Sequence, residues 1–345
     1  MKLLTLFLCS IFAIYGTDGC GSSCCPPVEM ISPCTCFVSG DSPGSCDLDC
    51  SAVDDEDHLA DIFQRELPCK NFRALQIWDN YNIKRLSAGT FSDVTFEEMN
   101  LWFGALETVE DDTFSSMKDT LQMISFDMQK LDDTFPFHII QTFSNLTVLD
   151  LTANKIHNFP ENLSSSTLEV LALAENRLQK LPEKPFNLLP KLNAVDLGRT
   201  QLKVLPKDLF INNPNMQYVM LRGNNIKNLT KDTFSFSSNK MEWLQLRWNN
   251  VGLVEEGTFD GMEGGFQKPA YIDLWDNRIT TLDENIWRPL LEKEVGLLME
   301  DNALVCGCDV AWYVNMEEFH HLVHDAVCVS GDSLNSLDPG LFSDC

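Results

Sequence analysis

This 345-residue chain has no run of 18 apolar residues beyond its first segment, so no transmembrane helix is expected. Positive charge is scarce. Lys and Arg total 25 against 51 Asp and Glu, a formal net charge of −26. That deficit argues against nucleic acid or an anionic membrane as partner, and favours a cationic or mixed protein surface. Neither a phosphate-cradling glycine loop nor a Gly-x-Ser-x-Gly elbow is present. His320, His321 and His324 form one cluster, with 320 and 324 at the spacing of a helix face, but zinc requires three or four ligands. The acidic run Asp54 to Asp57 lacks the glycine and spacing of a calcium loop. It reads instead as the start of a helix over 58–67, where acids favour the dipole. The sequence therefore assigns no catalytic residue, no cofactor and no metal. Cysteine is also missing, from the whole span between Cys69 and Cys306.

That cysteine-free span holds the strongest signal. An asparagine recurs about every 24 residues in the setting apolar-x-apolar-x-x-Asn-x-apolar, as in Leu149/Leu151/Asn154/Ile156 and Leu171/Leu173/Asn176/Leu178. The sites are Asn80, Gly104, Gln129, Asn154, Asn176, Thr200, Asn224, Asn249, Asn277 and Asn302. A large aromatic follows ten residues later at Phe114, Phe186, Phe210, Phe234, Phe259 and Trp287, and eleven later at Phe91. The fourth repeat lacks it and is the shortest. This is the leucine-rich repeat signature. The expected fold is an α/β solenoid, curved, with a parallel β-sheet on its concave face and disulfide-rich caps at both ends.

Each repeat buries about five large apolar side chains, roughly 7–15 kcal/mol gross, and only when neighbours stack. The amide of asparagine both donates and accepts, so it can satisfy the turn. Gly104 cannot, and the ladder is expected to break there.

The expected organisation is a secretory signal over 1–16, an N-terminal cap over 17–70, ten repeats over 71–305 and a C-terminal cap over 306–345. Lys2 and the apolar stretch Leu3–Ile14 carry the signal. The end at Cys345 shows no apolar tail for a lipid anchor. Of thirteen cysteines, Cys9 leaves with the signal, and the remaining twelve cluster where a solenoid exposes its core. A zinc reading of them is disfavoured in an oxidising compartment. Resemblance to leucine-rich caps implies Cys306–Cys328 and Cys308–Cys345 at one end, and Cys25–Cys36 and Cys34–Cys46 at the other. Cys50–Cys69 would be an extra bridge, leaving Cys20 and Cys24. Spacing alone leaves 105 connectivities open for eight cysteines. Sequons at Asn145, Asn162 and Asn228 would place glycans on the convex side and edges. None is expected at a solvent-facing position within a strand.

In this register the residues between and just after the inward leucines face the hollow. They include Trp78, then Trp102 and Phe103, then Met123 and Met128. A bland middle of Thr152, Ala153, Ala172, Ala174 and Gly198 follows. The later repeats present Tyr218, Met220, Arg222, Trp243, Arg247, Trp248, Tyr271 and Trp275, with the acids Asp150, Asp196, Asp273, Asp276, Glu300 and Asp301 interleaved. Five of seven tryptophans thus face a surface the repeat does not bury, and Trp, Tyr and Arg are enriched at interface hot spots. The competing reading is that the aromatics only stack on one another along the sheet. Arg199, Arg222 and Arg247 form a basic ladder, or else pair with Asp196, Asp273 or Asp276.

Further segments, Ala74–Ile77, Phe135–Phe137, Phe143–Leu146, Ser166–Leu171, Cys306–Trp312 and Leu337–Pro339, together resemble the non-catalytic, leucine-rich subunits of Oplophorus-type crustacean luciferin 2-monooxygenases. The resemblance implies a secreted scaffold that associates with a separate catalytic luciferase subunit and does not oxidise the luciferin itself. It offers no site residues. The expected partner is another secreted protein, with Trp78, Trp102, Tyr218, Arg222, Trp243, Arg247, Trp248, Tyr271 and Trp275 as the contact set. The alternative is an extracellular innate-immune or cell-surface recognition protein that binds glycans or microbial ligands, with Trp275, Asp273 and Asp276 as a sugar platform.

Overall fold

The computed structural model describes residues 25–39, 45–264 and 269–345. The expected signal segment lies outside these. A sheet of 13 strands runs the length of the described chain, all parallel except the first pair. Five consecutive strands of the sheet are only three residues long: Val148–Asp150, Val170–Ala172, Ala194–Asp196, Tyr218–Met220 and Trp243–Gln245. Their central residues Leu149, Leu171, Val195, Val219 and Leu244 are fully buried. The flanking residues point the other way, into the hollow, as the two-residue period of a strand requires.

The convex side is irregular. It carries 3₁₀ turns at Ser115–Met117 and Phe137–Thr142, one longer helix at Glu284–Leu291, and two small parallel sheets. One of these pairs Asn228–Leu229 with Leu253–Val254. Asn228 is therefore an exposed strand residue, contrary to the sequence expectation, though outside the concave sheet. Asn145 and Asn162 are also exposed, in convex loops.

The recurring aromatics form a spine. Phe186, Phe210, Phe234 and Phe259 stack at 5.4, 6.5 and 5.8 Å with planes within 11° of parallel. Trp287 ends the column 6.0 Å beyond Phe259. Earlier, Phe114 contacts Phe143, and Phe159 meets Phe186 edge-on. Beside the short repeat, Phe135, Phe137, Phe159 and Leu163 line a convex groove of about 630 Å³.

The asparagines sew the turns together. Asn176 donates to the carbonyls of Leu151 (2.9 Å) and Leu173 (3.0 Å) and accepts from the amide of Ile156 (2.9 Å). Asn154, Asn224, Asn249, Asn277 and Asn302 repeat the arrangement. The residue just before each of the ten sites, from Asp79 to Asp301, adopts a left-handed φ. Only one of these ten is glycine, Gly223. A left-handed side-chain-bearing residue is costly, and the amide bonds hold the turn in place.

At Gly104 the ladder does lose a side chain. The next repeat compensates for part of it. The longer Gln129 donates to Leu101 O (3.1 Å) and accepts from Leu106 N (3.0 Å), as an asparagine would. A Cβ on Gly104 would lie 2.5 Å from Gln129 Oε1, so the glycine makes room for the extra methylene.

At the N-terminal end the bridges between described residues are Cys25–Cys36 and Cys34–Cys50. This corrects two expected pairs, Cys34–Cys46 and Cys50–Cys69. The strands Thr35–Val38 and Cys46–Asp49 pair antiparallel with Thr35 opposite Asp49. That register carries the chain to Cys34 opposite Cys50, with Cα atoms 4.2 Å apart, whereas Cys46 lies opposite Val38. Cys46 and Cys69 are themselves disulfide-bonded. The sulfurs of Cys25, Cys36 and Cys46 lie within 4.8 Å of one another, but all three are oxidised and offer no thiolate to a metal. At the other end Cys306–Cys328 and Cys308–Cys345 are bridged.

The first longer helix spans Glu56–Phe63 rather than 58–67. Asp55 accepts from His58 N as its cap, which moves the start two residues earlier. His320 and His324 do not share a helix. His320 follows a 3₁₀ turn and packs on Tyr313, while His324 lies in the last strand. Among the described residues no helix is long and apolar enough to cross a membrane.

Candidate functional site

Three rows of side chains cross the concave face. Strand pairing aligns Ala74, Glu98, Met123, Val148, Val170, Ala194, Tyr218, Trp243 and Tyr271 in the first. The second runs Gln76, Asn100, Ser125, Asp150, Ala172, Asp196, Met220, Gln245 and Asp273. The third begins with Trp78, Trp102 and Asp127. Two residues beyond the second row in each later repeat, it continues through Thr152, Ala174, Gly198, Arg222, Arg247 and Trp275.

None of the five expected tryptophans enters the core; of the seven, Trp287 alone is fully buried there. They form two groups. Trp78, 40% exposed, meets Trp102 edge-on at 4.1 Å, and Trp102 Nε1 donates to Ser125 Oγ (2.8 Å). Six strand steps away lies the second group. Trp243 packs on Tyr271 at 5.6 Å and Trp248 on Trp275 at 5.6 Å. Trp275 Nε1 donates to Asp301 (2.8 Å), and the Arg247 guanidinium lies 4.6 Å from the Trp248 ring. Each indole is thus held by a neighbour yet remains partly open to the hollow. The stacking reading and the surface reading both describe the molecule: the rings stack on one another and still face outward.

The arginines do not form a free ladder. Arg222 bonds both oxygens of Asp196 at 3.1 and 2.9 Å, and Gly198 leaves room for it, since a Cβ there would meet the guanidinium at 2.9 Å. Arg247 lies 3.8 Å from Asp273, and Arg199 lies 3.1 Å from Glu175. Arg222 and Arg247 are therefore ion-paired parts of the wall. Tyr218 donates to Glu242 at 2.7 Å, and burial, followed by that bond, raises its pKa.

Sequence reasoning placed Met123 and Asp150 on this face but missed Val148, Val170, Ala194 and Asp127 beside them. Met123, Val148, Val170 and Ala194, with Tyr218 against them, form an apolar strip separate from the main core. Beside it stand Asp127 and Asp150. Among the described residues four aspartates are buried; Asp47, Asp196 and Asp273 each have an arginine within 4.0 Å, and Asp150 has none. Burial raises the pKa of Asp150, and Asp196 adds to the effect. Asp127 shares the register of Trp102, and that alignment was the available signal.

The comparisons with known proteins follow this geometry. Residues 166–226 match the family described as Leucine rich repeat. The chain is 30% identical over 324 residues to the Oplophorus-luciferin 2-monooxygenase non-catalytic subunit of Oplophorus gracilirostris, covering 92% of this chain and 87% of that one. It is 27% identical to keratocan of Bos taurus over 109 residues, 31% of this chain and 30% of that protein. Among solved structures it resembles a chain of an octameric complex of Latrophilin 3, Unc5D and FLRT2, with TM-score 0.69, 14% identity and coverage of 84% and 87%. A Toll–Spatzle complex from Drosophila matches with TM-score 0.58 and 14% identity, covering 86% of this chain and 48% of that one. At such identities these two show the fold alone. Repeat, sheet and full-length similarity together make the chain a member of the leucine-rich repeat family that includes the Oplophorus-luciferin 2-monooxygenase non-catalytic subunit.

Proposed function

We propose that this protein is a secreted, non-enzymatic scaffold whose concave face docks another secreted protein, with a luciferase catalytic subunit as the partner its relative suggests. One observation carries the reading. Two anchored aromatic groups stand six strand steps apart on one face, roughly 29 Å at ~4.8 Å per step. A small molecule cannot touch both, whereas a folded domain of ordinary diameter can. The wall between them is lined mostly by short side chains, with the Arg222–Asp196 pair and the acids Asp127 and Asp150 among them, which leaves the hollow open.

Preorganisation supports affinity. Indoles that are already packed against neighbours lose little rotamer freedom on binding, so less of the gross contact energy is spent on ordering. The disulfide-rich ends suit an extracellular compartment, and the three exposed sequon asparagines all lie off the concave sheet. The sugar-binding alternative is weaker, because Asp273 is buried, accepts from Trp275 N and lies against Arg247. It is not free to bind hydroxyls.

The test is alanine at Trp248 and Trp275 together. Capture of partners from the native secretion should fall at least tenfold, the scale of a hot-spot truncation of about 2 kcal/mol. The melting temperature should stay nearly unchanged, since neither indole fills the core. Undiminished capture would reject this surface.

A further inference from the structure

The apolar strip and the two aspartates lie between the aromatic groups, where a docked domain would sit. Asp127 Oδ1 is buried with no hydrogen-bond partner. Asn100, only 4% exposed, also has a side-chain carbonyl oxygen without one. Asn100 lies between Met99 and Leu101, both in the core, so its side chain points to the hollow, in the row of Ser125 and Asp150. Asp150 is 92% buried by its 8% exposure, and no Lys, Arg or His lies within 4.0 Å of Asp127 or Asp150 among the described residues. Two arginines of the following repeats are committed elsewhere: Arg199 to Glu175 and Arg222 to Asp196.

All the unmet groups on Asn100 and Asp127 are acceptors. A buried acceptor without a donor is costly, and a buried carboxylate without a cation more so. A ligand that supplies several N–H donors and a positive charge would meet every one of them. A divalent metal fits less well, because among the described residues these acids do not bring three ligand atoms within 4.8 Å of one another. The adjoining strip of Met123, Val148, Val170 and Ala194 offers apolar contact next to the charge. The net charge of −26 favours a basic counterpart over an acidic one.

We propose that Asp127 and Asp150, with the Asn100 side-chain carbonyl beside them, receive one lysine or arginine side chain of the docked protein, and that the apolar strip takes the residue next to it. This rests on the concave face being the docking surface. It adds a charge-specific centre to the two aromatic contacts.

The experiment titrates the full chain with the end-capped tripeptide Leu-Arg-Leu and, separately, with its neutral isostere Leu-citrulline-Leu. The readout is the indole N–H resonance of Trp102, which donates to Ser125 in the row between Asn100 and Asp150. The arginine peptide should shift this resonance and bind at least tenfold more tightly than the citrulline peptide. Asp127→Asn with Asp150→Asn should abolish that preference, and Asp127→Asn alone should reduce it should the double variant misfold. Equal binding of the two peptides, an unchanged preference in the variants, or a stronger response to calcium chloride alone would each overturn the proposal. Trp248→Ala with Trp275→Ala should leave tripeptide binding intact. A failed partner-capture test with a positive tripeptide test, or the reverse, therefore tells the failure of the docking reading from the failure of this one.

Discussion

Burial, followed by the negative neighbours Asp150 and Glu175, pushes the Asp127 carboxyl up to about 7. Glu175 is itself tied to Arg199, and among the described residues no Lys, Arg or His is ion-paired with Asp127. The consequence for stability has a definite sign. Between about pH 4 and pH 7 the folded chain keeps a proton that the unfolded chain has released, so stability falls as pH rises through this window. Above pH 7 the penalty is complete. Asp127→Asn should therefore be more stable than the parent at pH 8, on the order of 1 kcal/mol after discounting for the part exposure of the group. The gain should vanish near pH 4, and urea unfolding at the two pH values checks it. An equal difference at both would show that the carboxyl does not titrate as the geometry requires. Legibility at this scale was uneven. Trp78, Trp102, Trp243 and Trp275 could be placed from period alone, because a strand alternates faces whatever its neighbours are, whereas Trp248 sits past that alternation at a left-handed turn. Asp127 and Asn100 share that register and were passed over, since their role depends on which cations are absent nearby, and only packing reveals that.

Between neighbouring repeats the unit of cohesion is the amide rung. Gly104 with Gln129 shows how far a rung can be altered: one residue loses its side chain and the facing one gains a methylene in the space. Gly104→Ala should lower stability by about 1–3 kcal/mol, as overpacking does, because its Cβ would strike Gln129 and, at 2.8 Å, the carbonyl of Asn80. A lowered urea midpoint is the expected result, and an unchanged one would show the fit to be loose. Asparagine spacing made most rungs readable, but the compensation at Gln129 was not, because it depends on a three-dimensional gap. The helix boundary failed for a similar reason: Asp55 is a capping residue within a run of acids, and composition does not say which acid caps. Cysteine pairing failed more deeply. The bridge Cys34–Cys50 follows from the antiparallel register of the first two strands, and that register is not encoded in the spacing of cysteines.

The whole molecule presents a strongly acidic body to a partner that must approach its hollow. Long-range attraction of a basic partner is screened within a Debye length, about 10 Å at 0.1 M salt and about 3 Å at 1 M. Raising sodium chloride from 0.05 to 0.5 M should slow partner association at least tenfold while changing dissociation much less, because the indole contacts are short-ranged. Surface plasmon resonance separates the two rates. A salt-independent association rate would mean that the net charge of −26 is unrelated to capture.

The aromatic spine also gives this coil its mechanics. From Phe186 to Phe259 the rings lie nearly parallel, plate on plate, and resist shear as a single column. At the short repeat, Phe159 meets that column on edge, beside the groove it shares with Phe135 and Phe137. The parallel stack is interrupted at that joint. The two aromatic groups of the hollow stand on opposite sides of it, so the angle held there sets the gap between them, as the pivot of a caliper sets its jaws.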